Sequence, residues 1–480
     1  MKKQSWSALL SGTNGIRSLA FAGGVALHAI NVYIIITILP TLINDLNGEQ
    51  YYSWVASIFI IASLIGTILA TKMLGTMGPR KAYAIASLTF ISGTFMCSIA
   101  PNMLVFLIGR FIQGFGSGSL LSLSYSIVRI IFTPPLWSHA LSIISGMWGI
   151  STLLGPAIGG IAVQYNAWRV SFGIVGFLAV IFLFITLKVL PKENKSEIST
   201  PPLPFLQLLI LTLLIFTIST GSAMNSTYAQ LCGLGIGIFL LFILAKIESS
   251  TLYPMLPHKT FSFSSEFFFL YSLILIISAV GYTIELYFPL FLQELHKKDP
   301  LIAGYMTALT SFGWTCGSLS SAGASAKKIR IFVICSPLLN ILGVGILLWV
   351  IPTVDSSLGY TFIICLTLFF IGISSGIVWP HLLTRILKCA SNKDALRASE
   401  SLTSVQLFST ALIATLTGII TNLSGLFNPG GITGMIYAAK VLLIVLIFLL
   451  CCLGIPFSLR VSHKMSKNPT GQPTTSTFIE

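Results

Sequence analysis

Charged side chains are scarce in this 480-residue chain, and acidic ones are the scarcest. Only 8% of the residues are charged, against about 25% in an ordinary soluble domain. The 13 acidic residues are outnumbered by 27 lysines and arginines, and hydrophobic residues make up 55% of the sequence. This composition excludes a soluble globular domain and predicts an all-α polytopic membrane protein.

The chain also lacks the short motifs on which several classes of enzyme depend. No G-x-x-x-x-G-K-[ST], H-E-x-x-H or G-x-S-x-G sequence occurs. We therefore expect neither ATP hydrolysis nor a zinc-protease or serine-hydrolase site, and we predict that the chain is not an enzyme. The eight cysteines have no metal or redox spacing, so no metal and no cofactor are expected. The basic residues form no contiguous patch, which argues against nucleic-acid binding.

Long apolar stretches account for most of the chain. Fourteen windows are apolar and close to the ~20 residues that a membrane-spanning helix needs. They lie at 18–39, 52–74, 82–100, 103–128, 140–163, 170–190, 205–223, 228–246, 266–292, 301–321, 331–351, 358–380, 400–424 and 435–459. The pair at 205–246 has an alternative interpretation as one re-entrant unit.

Basic residues are concentrated in the loops on one side of the predicted spans. When both termini are placed in the cytoplasm, 22 of the lysines and arginines fall in cytoplasmic segments. Three fall on the other side, namely Arg169, Lys297 and Lys298, while Arg110 and Lys440 lie within windows. Lysine and arginine are enriched in cytoplasmic loops. The sequence therefore predicts cytoplasmic termini and fourteen spans in a lipid bilayer.

A proline-rich stretch divides the windows into groups. Residues 1–190 form a predicted N-terminal six-helix bundle, and residues 191–258 a linker and a two-helix insertion. Six more helices fill residues 259–460, and the Thr/Pro-rich residues 461–480 are expected to be a disordered cytoplasmic tail. Two similar half-bundles around a central cavity are typical of secondary transporters.

Polar and small residues interrupt the fourth and fifth windows. Arg110 and Gln113 lie in the segment G-R-F-I-Q-G, and an arginine at membrane depth should face the bundle interior with a partner. Glycines four residues apart permit close approach of helices in lipid, and a proline bends its helix. The fifth window contains G-I-S-T-L-L-G-P-A-I-G-G, with Gly149, Gly155, Pro156, Gly159 and Gly160.

These segments resemble the major facilitator superfamily, and within it the fourteen-helix drug:proton antiporters of bacteria. G-P-A-I-G-G is similar to that superfamily's antiporter motif, and R-F-I-Q-G to the motif that supplies a buried arginine and glutamine. The Trp168–Arg169 pair and the segment F-P-L-F-L-Q-E-L at 288–295, followed by A-G-Y, are similar to the group as well.

The resemblance implies a monomeric multi-pass transporter in the bacterial inner membrane. It would export small amphipathic compounds or drugs by alternating access, with protons as the coupling ion. A metabolite, sugar or siderophore carrier of the same fold and a non-transporting membrane sensor are the alternatives.

The loop after the second window departs from the family pattern. It reads L-G-T-M-G-P-R-K, and Gly75 and Thr76 stand where the family has an acidic residue and an arginine. Only Gly78, Arg80 and Lys81 match. The ion pair that the family builds there cannot form in the same way.

A second departure concerns proton coupling. The group usually has an aspartate nine residues before the proline of the first helix, and here that position holds Asn31, before Pro40. An amide forms hydrogen bonds but does not carry a proton. Coupling through the first helix is therefore in question.

Few ionisable side chains remain at membrane depth. Glu285 is the acidic one, and because apolar surroundings favour the neutral form of a carboxylate, it is the candidate proton carrier. The alternative is a carboxylate paired with a base such as Lys440, which can also extend to the membrane surface. His28 either packs through a hydrogen bond or carries a proton. Arg110 either holds helices together or takes part in gating or proton relay.

Overall fold

The computed structural model describes residues 12–131, 134–191, 204–224, 226–251, 254–321, 324–390, 395–426 and 428–468. The regular elements in these residues are helices. The first part of the chain forms α1 (Gly12–Asp45), a 3-10 turn (Glu49–Tyr51), α2 (Tyr52–Met77), α3 (Pro79–Ser98), α4 (Met103–Ile131), α5 (Pro134–Gln164) and α6 (Trp168–Val189).

The second part of the chain contains the remaining helices. They are α7 (Phe205–Ala223), α8 (Thr227–Ser250), α9 (Glu266–Glu294), α10 (Pro300–Ser321), α11 (Ala326–Val350), α12 (Leu358–Gly376), α13 (Trp379–Cys389), α14 (Ala395–Leu423), α15 (Gly431–Leu449) and α16 (Ile455–Lys467). A π-helical turn, Leu450–Gly454, joins α15 to α16. Every apolar window of the sequence falls on helical residues, with 358–380 and 435–459 each extending over two helices, so the all-helical prediction is confirmed.

Twelve spans in the described residues are long and apolar enough to cross a membrane, against the fourteen predicted. The two windows that fall short are 82–100, in α3, and 301–321, in α10. Both helices are long enough, with 20 and 22 residues, but they are rich in serine, threonine and glycine. Hydroxyl groups and small side chains lower their hydropathy, although α3 packs against α4 and α6 among the apolar helices.

Two amphipathic helices lie at the ends of longer spans, and the windows did not predict them. The window 358–380 stops at the start of α13, which buries Leu382, Arg385 and Ile386. Helix α16 continues to Lys467, although residues 461–480 were expected to form a disordered tail. Residues 461–467 are helical because one face of α16 packs inward, with Val461 fully buried. The rest of the expected tail, from residue 469, and most of the linker, 192–203, lie outside the described residues.

The helices group into two compact units. The described residues up to 191 form the first unit together with Asp299–Gly304, and the second holds the residues from Pro204 to Lys298 and from Tyr305 onward. Helices α7 and α8, the predicted insertion, pack on each other, and α7 also packs on α14. Asn422 Nδ2 of α14 donates to the backbone oxygen of Ser222, at 2.5 Å. The insertion is therefore grouped with the C-terminal helices.

Glycines bring two helices into backbone contact in each unit. A Cβ atom at any of four glycines would overlap the backbone of the facing helix. The pairs are Gly114 with Phe59 and Gly118 with Ser63, between α4 and α2, and Gly372 with Thr310 and Gly376 with Trp314, between α12 and α10. The second and fourth of the six helices thus meet in the same way in both halves.

Candidate functional site

Arg110 lies in the interior of the first unit, with 1% of its surface exposed. Its Nη1 atom donates to Asn31 Oδ1, at 2.7 Å, and to Gln113 Oε1, at 2.6 Å. Its Nε atom donates to the backbone oxygen of Val55, at 3.2 Å. The guanidinium carbon lies 4.0 Å from the centre of the Phe59 ring. We call Asn31, Arg110 and Gln113 the arginine cluster. It joins α1 to α4, and it joins both to α2 through the bond to Val55.

Further polar contacts extend from this cluster. Gln113 Nε2 donates to Thr94 Oγ1 of α3, at 2.9 Å. His28 lies one turn before Asn31 on α1, and its Nδ1 atom forms a hydrogen bond with Ser117 Oγ, at 2.8 Å. Thr94 and Ser117 were not predicted from the sequence. The structure thus brings four predicted coupling residues together: His28, Asn31, Arg110 and Gln113.

The arginine cluster carries a positive charge with no carboxylate beside it. The described residues of the first unit contain three acidic side chains, Asp45, Glu49 and Asp299, and all three are exposed. The ion pairs among the described residues are Arg169–Asp45 and Arg385–Glu266, so Arg110 has none there. Buried charges are usually paired with an opposite charge. With Asn31 at the position of the family's aspartate, no carboxylate of the described residues compensates the charge of Arg110.

Only one of the two polar atoms of the Asn31 side chain has a hydrogen-bond partner among the described residues. Its Oδ1 atom accepts from Arg110, while its Nδ2 atom is buried and has no hydrogen-bond partner among the described residues. The side chain is 1% exposed. A buried N–H group without an acceptor is costly, by about 1–3 kcal/mol, so this group calls for a partner such as a water molecule or an ion.

Two glycines of the fifth-window motif face α1. A Cβ atom at Gly155 would overlap the Cβ atom of Tyr33. At Gly159 it would lie 3.0 Å from Ile38 Cγ2 and 3.2 Å from the backbone oxygen of Ile34. Helices α1 and α5 are therefore in close contact along this stretch, and Gly155 is the tighter of the two positions.

The other motif residues behave differently. A Cβ atom at Gly160 would lie 2.6 Å from the Cα atom of Leu301, a residue of the same unit, and Pro156 lies inside α5 without ending it. The motif glycines were expected to be mostly packing residues. Gly149 differs from Gly155 and Gly159, because no atom of another described element lies within 4 Å of its Cβ position.

The loop after α2 is a short turn. Gly78 ends α2 with φ of 79°, a backbone conformation that favours glycine, and Pro79 begins α3. Arg80 is half-buried and Lys81 is exposed, and neither belongs to an ion pair among the described residues. Thr76, at one of the departing positions, donates its hydroxyl to the backbone of its own helix, at Lys72.

Glu285 lies on α9, in the second unit, whereas the other four coupling candidates belong to the first unit. It is half-buried, and its Oε1 atom accepts a hydrogen bond from Ser311 Oγ of α10, at 2.8 Å. Lys440 is exposed on α15. The described residues include both Glu285 and Lys440, and they do not form an ion pair with each other.

Comparison with known proteins gives the family. The model of the Major Facilitator Superfamily matches residues 21–414. A probable multidrug-efflux transporter of Mycobacterium tuberculosis is 30% identical over 426 residues, which cover 87% of this chain and 90% of that protein. This chain belongs to the major facilitator superfamily. A multidrug efflux pump of Staphylococcus aureus is 28% identical over 63% of this chain and 68% of the pump.

Solved structures of transporters share the fold. A peptide transporter superposes with a TM-score of 0.67 and 14% identity, over 94% of this chain and 95% of that one. A D-xylose–proton symporter gives a TM-score of 0.61 and 13% identity, over 94% and 97% of the two chains. At these identities the likeness concerns the fold alone. The family and its relatives point to a multi-pass membrane transporter rather than to an enzyme.

One ion pair of this major facilitator protein was found only in part from the sequence. The Trp168–Arg169 pair was recognised, but its partner was not. Asp45 Oδ2, at the end of α1, accepts from Arg169 Nη1 at 2.7 Å and from Trp168 Nε1 at 3.0 Å. Arg169 Nη2 also donates to the backbone oxygen of Ala100. The scarcity of acidic residues in the first half is the signal that could have identified Asp45.

A second ion pair was missed entirely. Arg385 of α13 donates to both carboxylate oxygens of Glu266, from Nε at 2.6 Å and from Nη2 at 3.2 Å. Its Nη1 atom donates to the backbone oxygen of Asn468, at 2.7 Å. This contact connects the start of α9, the amphipathic helix α13 and the end of α16. The sequence pattern that indicates it is the amphipathic run after residue 378.

Proposed function

We propose that this transporter exports small amphipathic compounds or drugs in exchange for protons, by alternating access between its two units. The relatives named as multidrug-efflux transporters, which the chain matches over most of its length, support the export of such compounds. The coupling to protons is supported by one carboxylate, that of Glu285.

Glu285 lies within a span and is not held by a cation among the described residues. Of the other acids with a described side chain, Glu248 accepts from the backbone N–H groups of Met255 and Leu256, and Glu266 is paired with Arg385. Glu294 is the last residue of α9, at the end of its span. Glu285 has a hydroxyl partner and no cationic one among the described residues. In apolar surroundings such a carboxylate exchanges a proton more readily than one held by a cation.

The test is a comparison of transport and binding in one variant. We expect Glu285→Gln to abolish transport driven by a pH gradient in proteoliposomes, because the amide keeps the shape and the contact with Ser311 but does not ionise. Binding of the transported compound to the purified variant should remain measurable. Glu49→Gln, an exposed acid on the first unit, is the control and should behave as the wild type.

Two results would contradict this assignment. Wild-type flux with unchanged pH dependence in Glu285→Gln would remove the carboxylate from the coupling mechanism and direct attention to His28, or to uniport. An absence of flux for every compound in the wild-type protein would favour a non-transporting sensor.

We further propose that all fourteen windows span the bacterial inner membrane, with both termini cytoplasmic and the protein working as a monomer. The bias of basic residues to one side supports the orientation. Single cysteines at residues 194, 328 and 355, in a background without the eight native cysteines, test it by labelling. Fourteen spans place residues 194 and 328 in the cytoplasm and residue 355 outside. If α3 and α10 do not cross, residue 194 labels from outside instead.

A further inference from the structure

We propose that the arginine cluster of the first unit binds the anionic group of transported compounds, a carboxylate, and so selects acidic or zwitterionic compounds over cations. This inference rests on the proposed export function for the route by which a compound reaches the cluster. Arg110 and Asn31 are each 1% exposed and Gln113 is fully buried, so the cluster is closed to solvent in this conformation.

Arg110 is a buried charge without a counter-ion among the described residues. Every hydrogen-bond acceptor of Arg110 in the described residues is neutral: a backbone oxygen of Val55 and the amide oxygens of Asn31 and Gln113. The ring of Phe59 adds a cation–π contact but no charge. A buried ion without a counter-ion is unfavourable by several kcal/mol, of order 3–5 kcal/mol when a partner has been removed. A bound anion relieves that cost.

Two kinds of donor are left over in the arginine cluster. The hydrogen bonds that described residues make with Arg110 use Nε and Nη1, which leaves Nη2 available for another acceptor. Asn31 Nδ2 is buried and has no partner among the described residues. Rotating the amide does not help, because it would set Nδ2 against Nη1, another donor. Asn31 Nδ2 therefore requires an acceptor and Arg110 Nη2 can take one, and a carboxylate supplies two oxygens that fit a guanidinium.

A purely structural role would not explain the charge of Arg110. Apolar residues of similar volume often replace even a buried ion pair without loss of stability, so holding α1, α2 and α4 together does not need a charge. Here the chain has an arginine at position 110 and an amide, not a carboxylate, at position 31. The result is a site that attracts anions and repels cations at short range.

The test uses three probes of one shape and different charge: benzoate, benzamide and benzamidinium. Binding of each radiolabelled probe to the purified, detergent-solubilised full chain is measured for the wild type and for Asn31→Asp. We expect the wild type to prefer benzoate. Asn31→Asp places a carboxylate at Arg110 Nη1 and removes no hydrogen bond, since Nδ2 has no partner. Benzoate affinity should fall at least about tenfold, or ~1.4 kcal/mol, while benzamide affinity stays unchanged.

Two further variants make the result specific. Gln113→Glu supplies the same internal counter-ion from α4 and should cause the same loss of benzoate binding. Asn340→Asp makes the same amide-to-acid change in the second unit, where Asn340 is buried and donates to the backbone oxygen of Ser336, and it should keep the benzoate preference. Melting temperatures establish that each variant is folded.

Binding of the three probes can support or overturn the proposal. Equal binding of the three probes by the wild type, or undiminished benzoate binding by folded Asn31→Asp and Gln113→Glu, would overturn the proposal. Measurements in chloride and in gluconate separate the sources of the anion, and a site that binds chloride but not benzoate would also overturn it. Because no gradient is needed, a benzoate preference without pH-driven export would contradict the proposed function and leave the site standing.

Discussion

Asp45 and Arg169 join the end of α1 to the start of α6 through an ion pair of 2.7 Å, with side chains that are 46% and 40% exposed. Pairs this exposed contribute about 0–1 kcal/mol. We therefore expect Asp45→Asn to lower the free energy of unfolding by less than ~1 kcal/mol, measured by denaturant unfolding in detergent. Glu49→Gln, an acid outside any described ion pair, is the control. A loss of several kcal/mol would show that the pair acts as part of a larger network.

The glycines of α5 give a sharper contrast. Gly155→Ala puts a methyl group against Tyr33, and such overpacking costs about 1–3 kcal/mol. We expect a lower melting temperature and loss of transport. Gly149→Ala, with open space around its Cβ position, should be neutral or slightly stabilising, because alanine favours a helix more than glycine does. Equal effects of the two substitutions would mean that α1 and α5 do not pack as described.

The pair of Arg385 and Glu266 should respond more strongly than the pair of Asp45 and Arg169. The Arg385 side chain is 3% exposed, and Glu266→Gln would leave it buried without a counter-charge. A loss of about 3–5 kcal/mol is expected for breaking such a pair.

The double variant Glu266→Gln/Arg385→Met removes both charges and should recover part of that stability. The measurement is the free energy of unfolding of all three proteins under one set of conditions. A double variant that is less stable than Glu266→Gln would show that Arg385 acts mainly through its bond to the backbone of Asn468.

Hydropathy and charge bias were sufficient to predict the helices, because a long apolar stretch in lipid has few alternatives to a helix. They were not sufficient for α13. A short helix with one apolar face does not form a continuous apolar run, and Arg385 and Lys388 interrupt the pattern. The same reason explains why residues 461–467 were assigned to a tail.

The site was predictable as a set of residue types and not as a set of contacts. A buried arginine needs partners, and the spacing of three residues on α4 is enough to place Gln113 beside Arg110. Only the packing of α1 on α4 shows that Asn31 is the other partner. Spacing alone also does not distinguish Gly149 from Gly155, because the face of α5 that meets α1 depends on how the two helices are rotated. Glu285 could be identified from the sequence because acids are so rare.

The contact between α2 and α4 also fixes where the charge of the first unit lies. Arg110, Gly114 and Gly118 follow one another at intervals of four residues on one face of α4, and Arg110 bonds the same helix, α2, whose backbone the two glycines touch. The hydroxyls of Ser63 and Thr67 on α2 also donate to the backbone oxygens of Gly114 and Gly118, so α2 and α4 are tied together where Arg110 is attached. Any shift of α1 relative to these two helices must therefore stretch or break the hydrogen bond between Asn31 and Arg110.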